Sequence, residues 1–515
     1  MRTPTSKPIS TRLTCRILIA ACMLGTAVPR LVMRSHFVLA FMLFLSVGRV
    51  SAAGFAPDFK LKPDDYTVLM AVDAKLSAGL APWNAGGHGK FFLQGWQRPD
   101  QQAEWKITAS EAADYAVQVL VNRNSNQELR LEVTAAGKTI TGTLPPDARR
   151  WQRIALPGTI SFPSGESSVT LRLAPADGSS SFDAQVHAVE LVRPAVRSAL
   201  HQKALALRAD TTWFQQARYG VMMHWTKQSM PRHGDPKPYA QAVADFNVEG
   251  FADQVRQTGA GFVVLTTSHA MLYFPAPLAS LEKILPGRTS QRDLVADLAA
   301  ALGKRGIKLM LYYHLGASDD SEWLKASGFW ETDTSRCFGN WQAIISEAGE
   351  RYQDKLAGWW FDDGSTSYYY RSAPGEQLVR AAKAGFPQRL VAFNPWVLNS
   401  PTEFQDFFTG EGFEDPRGYN ELLVRGGNGR YPSGTHQGLQ ASACLVTEGD
   451  WVHSRKDTAI GNPRWKPEQL AAMLQGFSEF SSVPIFNLEI YQEGTLSPAT
   501  VDMLHAAREL VKARK

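Results

Sequence analysis

Several stretches of the chain read as a buried strand that stops on one polar residue. Tyr219 to Met223 ends on His224, and 261–267 leads to Ser268 and His269. Ile307 to Tyr313 ends on His314, and Leu356 to Phe361 on Asp362. Leu390 to Phe393 ends on Asn394, Cys444 to Thr447 on Glu448, and Val483 to Phe486 on Asn487. Stretches of helical period alternate with these strands over 291–304, 339–352, 375–383, 467–477 and 498–512. In the first of them Leu294, Leu298 and Leu302 space the apolar face. Ser290 is placed to cap it, Asp293 falls in its first turn, and Lys304-Arg305-Gly306 closes it. Alternating strand and helix predicts a parallel α/β sheet, and polar groups at its strand ends predict a (β/α) TIM-like barrel with its site on that face.

Residues 55–195 follow a different rule. The runs 115–121, 129–133, 168–173 and 186–191 alternate apolar with polar residues, between clusters of Gly, Pro, Asn, Asp and Ser. Half-buried antiparallel strands have that period, so an N-terminal all-β sandwich domain is expected. Its layout is like that of a small carbohydrate-binding module, and equally like a structural sandwich packed on its neighbour. Residues 194–206 read as a linker into a helix, and 207–515 as the barrel.

A chain of 515 residues, 44% hydrophobic and 20% charged, has the make-up of a folded protein with more than one domain. Its net charge of +5 is misleading, because residues 1–54 hold seven basic residues and no acidic one. Without those seven the remainder stands at −2, which gives no electrostatic reason to expect nucleic acid or an anionic membrane as partner. Within the basic segment, Met33-Arg34-Ser35-His36 precedes an apolar run to Val47 and then Val50-Ser51-Ala52. That order predicts a secretory leader over 1–53, with Met33 the expected start and a secreted or periplasmic mature protein. The apolar run is shorter than the roughly 20 residues of a membrane span. Cleavage after Ala52 would leave Cys337 and Cys444, too few for a disulfide framework or a cysteine metal cluster. The sequence sets no oligomeric state.

Asp362 is the leading catalytic candidate, because a carboxylate directly after Trp359-Trp360-Phe361 stands beside aromatic rings that can pack on a sugar. Asp363 alternates to the opposite face and could cap a helix. The segment from Asp406 to Glu411 offers Glu411 as a second carboxylate, and Glu448, followed by Trp451, is its rival. A pair of carboxylates about 5 Å apart is what a retaining glycosidase needs. His224, His269 and His314 could ligate zinc, but metal-binding histidines commonly pair locally and these are 45 positions apart. Neutral imidazoles that hydrogen-bond sugar hydroxyls suit the carboxylates better, so no metal and no cofactor is expected.

These residues resemble the α-L-fucosidases of glycoside hydrolase family 29. Arg218-Tyr219-Gly220-Val221-Met222-Met223-His224-Trp225 is similar to that family's first barrel strand, and 251–267 to its next helix and strand. Trp360-Phe361-Asp362 resembles the family's Trp-x-Asp, which carries the nucleophile. Asp406-Phe407-Phe408-Thr409-Gly410-Glu411 resembles the stretch whose glutamate is acid/base in part of the family, and 486–496 its closing segment. The likeness covers roughly 212–512. It implies an exo-acting retaining hydrolase that releases terminal fucose from an oligosaccharide or glycan. Asp362 would be the nucleophile and Glu411 the acid/base, with His224, Trp225, His269, His314, Trp360, Glu448 and Trp451 around the sugar. Two departures bear on substrate. The family's Lys-His-His-Asp-Gly-Phe stands here as Ser268-His269-Ala270-Met271-Leu272-Tyr273-Phe274, and Tyr-Tyr-Ser has become Tyr312-Tyr313-His314. No second sandwich is expected after the barrel. A barrel that binds glycan without cleaving it, and a hydrolase for another glycoside, are the alternative readings.

Overall fold

The structure is a computed structural model that describes residues 59–84, 90–123, 126–146, 151–269, 271–315, 320–329, 331, 333–362, 373–396, 400, 402–412, 428–432 and 436–513. The expected leader and Asp363 lie outside these residues. Eleven strands come first: β1 (Thr67–Met70), β2 (Lys75–Leu76), β3 (Ala81–Asn84), β4 (Lys90–Trp96), β5 (Gln102–Ala109), β6 (Ala113–Arg123), β7 (Leu129–Ala135), β8 (Lys138–Leu144), β9 (Gln152–Phe162), β10 (Gly165–Pro175) and β11 (Ala184–Val192). They form two antiparallel sheets, β3-β4-β11-β6-β9 with β1 on β11, and β2-β5-β10-β7-β8. Alternate residues such as Leu129, Leu131, Val133 and Val169, Leu171, Leu173 meet between the sheets in one apolar core. This is the sandwich that the alternation predicts.

Residues 194–206 differ from expectation. They are themselves helical, as α1 (Pro194–Leu207). Proline in the first turn fits a helix start, and the Ala- and Leu-rich stretch that follows has good helix propensity. The helix packs against β6 of the sandwich.

The barrel strands are β12 (Gly220–Met223), β13 (Phe262–Ser268), β14 (Lys308–His314), β15 (Leu356–Asp362), β16 (Leu390–Phe393), the short β17 (Phe407–Phe408) and β18 (Glu411–Gly412), β19 (Gln440–Val446) and β20 (Val483–Leu488). All their pairings are parallel, in the order β16-β15-β14-β13-β12-β20-β19-β17, with β18 also on β19. The remaining gap is stitched by Asp406. Its N–H donates to the Val391 carbonyl at 2.8 Å, and its carboxylate accepts from the Val391 N–H at 2.7 Å. That carboxylate also accepts from Lys383 Nζ and the Ala209 N–H, so its buried charge is fully partnered.

Around the strands lie α2 (Thr212–Ala217), α3 (Tyr239–Asp245), α4 (Val248–Thr258), α5 (Ala279–Ile284), α6 (Leu294–Gly303), α7 (Ser321–Ser327), α8 (Ser335–Tyr352), α9 (Gly375–Ala382), α10 (Pro467–Glu479) and α11 (Pro498–Ala513). Asn247 caps α4 and Gly259 ends it at φ 82°, a left-handed conformation in which a side chain would be strained. On α6 the cap is Asp293, which accepts from the Ala296 N–H at 2.9 Å. The expected cap, Ser290, instead donates to the Arg292 carbonyl, because the chain turns into the helix three residues later.

Alternation along each strand divides the barrel into two cores. Val221, Met223, Val263, Leu265, Leu311, Trp359 and Phe361 face the helices. Met222, Phe262, Val264, Met310, Tyr312, Trp360, Cys444 and Ile485 fill the interior. Phe214 on α2 closes the bottom of the barrel against Phe262 and Phe407, with ring centroids 4.9 and 4.8 Å away. Gly220 belongs there too, since a Cβ at that position would meet the Phe262 ring at 2.2 Å. With the lower layers filled, the strand-end residues are left as the floor and wall of the opposite mouth.

Candidate active site

Tyr312 and Trp360, on adjacent strands, make the floor. Their rings stack at 5.2 Å and 18°, and Trp360 is buried and donates from Nε1 to Thr409 Oγ1. The expected sugar contact from Trp360 is therefore indirect, because its indole lies beneath Tyr312 as packing.

Two positions above Trp360, Asp362 emerges half-buried on the same face of β15. Its Oδ2 accepts from the Tyr312 hydroxyl at 2.5 Å and its Oδ1 from Asn394 Nδ2 at 2.9 Å. The same Asn394 nitrogen donates to Glu411 Oε1 at 2.8 Å. Asn394 is fully buried at the end of β16, and its Oδ1 accepts from the Trp396 N–H at 3.2 Å, which fixes the amide's orientation. One amide nitrogen is then used on two carboxylates, whose bonded oxygens therefore lie at most about 5.7 Å apart. Glu411 begins β18, beside Cys444 of β19, and its N–H donates to the Trp396 carbonyl.

The three histidines gather on the other side of the mouth. The ring centroid of His224 is 5.1 Å from that of His269, which is 5.4 Å from His314. His224 bonds Asn487 through Nδ1 at 2.8 Å, and its ring meets Tyr312 at 4.8 Å and Trp451 at 5.4 Å. Burial pushes its pKa down to about 4, partly opposed by the Asn487 hydrogen bond and by Asp362. His224 is thus a neutral imidazole near pH 7, suited to exchanging hydrogen bonds with hydroxyl groups. Among the described residues no group of three or more His, Cys, Asp or Glu side chains is arranged to hold a metal ion.

Two expected contacts are elsewhere. Trp225 follows His224, so alternation turns it to the outer layer. There it is buried edge-on against Phe246 and donates to the Gln492 carbonyl at 2.9 Å. Glu448 also points outward. Its carboxyl groups with Thr500 Oγ1 of α11 at 2.6 Å and accepts from the Glu489 N–H at 3.1 Å. Burial raises its pKa to about 8 despite those bonds. Trp451, three residues on, is half-buried and returns to the mouth beside His224. Sequence alone gives no role to Tyr312, Asn394 or Asn487, although the two asparagines stand at strand ends like His224 and Asp362. That shared position is the signal the sequence carries for them.

Residues 237–421 match the family model for α-L-fucosidase, a stretch that takes in His269, His314, Asp362, Asn394 and Glu411. The human tissue α-L-fucosidase is 28% identical over 194 residues, which are 31% of this chain and 39% of that enzyme. The Macaca fascicularis enzyme of the same name is 30% identical over 147 residues, 22% of this chain and 31% of its own. The matched stretch is thus well under two thirds of either relative. Among solved structures, the α-L-fucosidase AlfC from Lactobacillus casei aligns at a TM-score of 0.43 and 19% identity, over 59% of this chain and 98% of its own. A family 29 α-L-fucosidase from Bacteroides thetaiotaomicron aligns at 0.43 and 15%, over 59% and 74%.

Proposed function

We infer, taking as premise that the chain is a divergent member of the α-L-fucosidase family, that it is a retaining, exo-acting glycoside hydrolase that releases terminal α-L-fucose from oligosaccharides or glycans. The observation that carries this reading is the Asn394 amide bonded to both Asp362 and Glu411. Bonded oxygens at most about 5.7 Å apart suit double displacement, whereas an inverting pair stands roughly 6.5–9.5 Å apart to admit a water.

In this mechanism Asp362 is the nucleophile. Tyr312 and Asn394 hold its two oxygens so that the carboxylate faces the anomeric carbon without rotating. As the new C–O bond forms, Glu411 gives its proton to the departing glycosidic oxygen. It then takes a proton from water, which attacks the glycosyl-enzyme ester and frees Asp362 with net retention. His224, His269, His314 and Trp451 line the sugar pocket, and His224 acts as a neutral hydrogen-bonding group. With Ala270 and Met271 in place of the family's second histidine and aspartate, a sugar here has fewer charged or donor groups to meet, so turnover of simple fucosides should be weaker or differently selective. The basic-then-apolar leader supports export as part of the same reading.

The test is hydrolysis of an aryl α-L-fucoside by residues 53–515, with the first-formed anomer followed by proton NMR. α-Fucose appearing first, and no release from Asp362→Ala, is the expected result. β-Fucose appearing first would overturn retention, and an unaffected Asp362→Ala would remove the assigned nucleophile.

A further inference from the structure

Trp396 has a backbone that L-residues seldom adopt, at φ 55°, although it is bulky and aromatic. Both of its backbone polar groups serve the site. Its N–H orients the Asn394 amide, and its carbonyl receives the Glu411 N–H. The conformation of this one residue therefore couples to both carboxylates, and a residue held in such a region needs surroundings that enforce it.

Those surroundings come from the other domain. The Trp396 ring stacks on Trp83 of β3 at 5.5 Å and 15°, and Trp83 in turn stacks on Phe92 of β4 at 5.0 Å and 3°. Phe92 leans on Trp151, at 5.2 Å, so the column continues into the sandwich. Two more ties reach the segment that leads on from Trp396. Arg153, paired through two nitrogens with Glu190, donates to the Ser400 carbonyl at 3.1 Å, and His201 of α1 bonds Glu403 at 2.6 Å. The sandwich thus grips the connection between Asn394 and Glu411 at two places, and α1 holds it at a third.

We propose that the N-terminal sandwich is a working part of the catalytic centre, with Trp83 as a positioning residue that fixes the carboxylate pair through Trp396. The proposal rests on the hydrolase reading above and deepens it. Trp83 touches neither substrate nor reacting atoms in this role. Its effect is on the spacing of Asp362 and Glu411, so it must register in kcat and in the pH profile rather than in substrate affinity.

The experiment compares Trp83→Ala, Trp83→Phe, Trp396→Gly and the Trp83→Ala/Trp396→Gly double variant in residues 53–515, with rates referred to folded protein. Trp83→Ala should lower kcat by about 10- to 100-fold with KM nearly unchanged, the size of effect that a misplacement of about 1 Å produces. The shape of its kcat/KM pH profile should change as the carboxylates separate. Trp83→Phe should restore most of the rate, and Trp83→Ala should cost nothing further once Trp396 is glycine. A reading that needs no turnover is the Asn394 side-chain amide resonance in 15N-asparagine-labelled protein, assigned with Asn394→Ala. It should move in Trp83→Ala and not in Trp83→Phe. A parent protein inert on fucosides sinks the functional reading and leaves the amide resonance to decide this one. An unmoved resonance, unchanged kcat and pH limbs in Trp83→Ala, or an equal loss in the glycine background overturns it.

Discussion

Asn394 and Glu411 are joined by a 2.8 Å hydrogen bond from the same amide nitrogen that holds Asp362 at 2.9 Å. One neutral side chain thereby sets the distance between two carboxylates from different strands, and donates to both without adding charge. Asn394→Ala removes both bonds and leaves two acceptors facing each other. The expected outcome is a kcat loss of about 100- to 1,000-fold with KM changed far less, comparable with deleting one positioned donor at a reacting group. Steady-state kinetics on an aryl fucoside checks it, and a loss confined to KM would show that Asn394 binds sugar instead.

The short bond from Tyr312 to Asp362 is a neutral donor that fixes one carboxylate oxygen in place. Tyr312→Phe keeps the stack on Trp360 and deletes only the hydroxyl. In steady-state kinetics kcat should fall about tenfold with KM changed far less. An unchanged kcat would mean that the bond forms only in the absence of substrate.

Glu448 gives a stability signature. Its folded pKa of about 8 lies above the ordinary 4.5, so between these values the unfolded chain has released a proton that the native state keeps. Its stabilising contribution is full below pH 4.5 and is lost as pH rises through 8, amounting to at most about 5 kcal/mol. Glu448→Gln has no proton to lose. Urea unfolding from pH 4 to 9 should show the parent weakening relative to this variant as pH rises, and parallel curves would contradict the buried neutral carboxyl.

His224 acts with the opposite sign. Its folded pKa of about 4 lies below the ordinary 6.5, so the unfolded chain binds the extra proton in that window. The contribution is full above pH 6.5 and disappears as pH falls through 4, about 3 kcal/mol at most. His224→Asn should flatten the acid side of the unfolding profile and raise KM at neutral pH. A KM that stays at the parent value would remove His224 from the sugar pocket.

Trp225 and Trp451 separate packing from binding. Trp225→Ala empties a buried site beside Phe246 and should cost about 3–5 kcal/mol of stability, with the KM of the folded fraction unchanged. Trp451→Ala, half-exposed beside His224, should raise KM severalfold and leave the melting temperature within a few degrees. Thermal melts together with kinetics would reveal an exchange of these roles.

The barrel, the sandwich and the strand-end residues follow from the sequence alone, because alternation and turn composition are local properties that each strand carries by itself. The same alternation, applied one residue further, places Trp225 opposite His224. Residues 194–206, read as a linker into a helix, are the helix itself, which Pro194 opens. Spacing along the chain could not decide between Glu411 and Glu448. Both are glutamates near a strand end, and only the path of the chain after the strand turns one toward Asn394 and the other toward Thr500. Nor does any local pattern join Trp83 to Trp396, more than 300 positions away. Periodicity fixes which face of a strand a side chain occupies. Which faces meet is set by register, tilt and the packing of domains, where each contact depends on all the others being made.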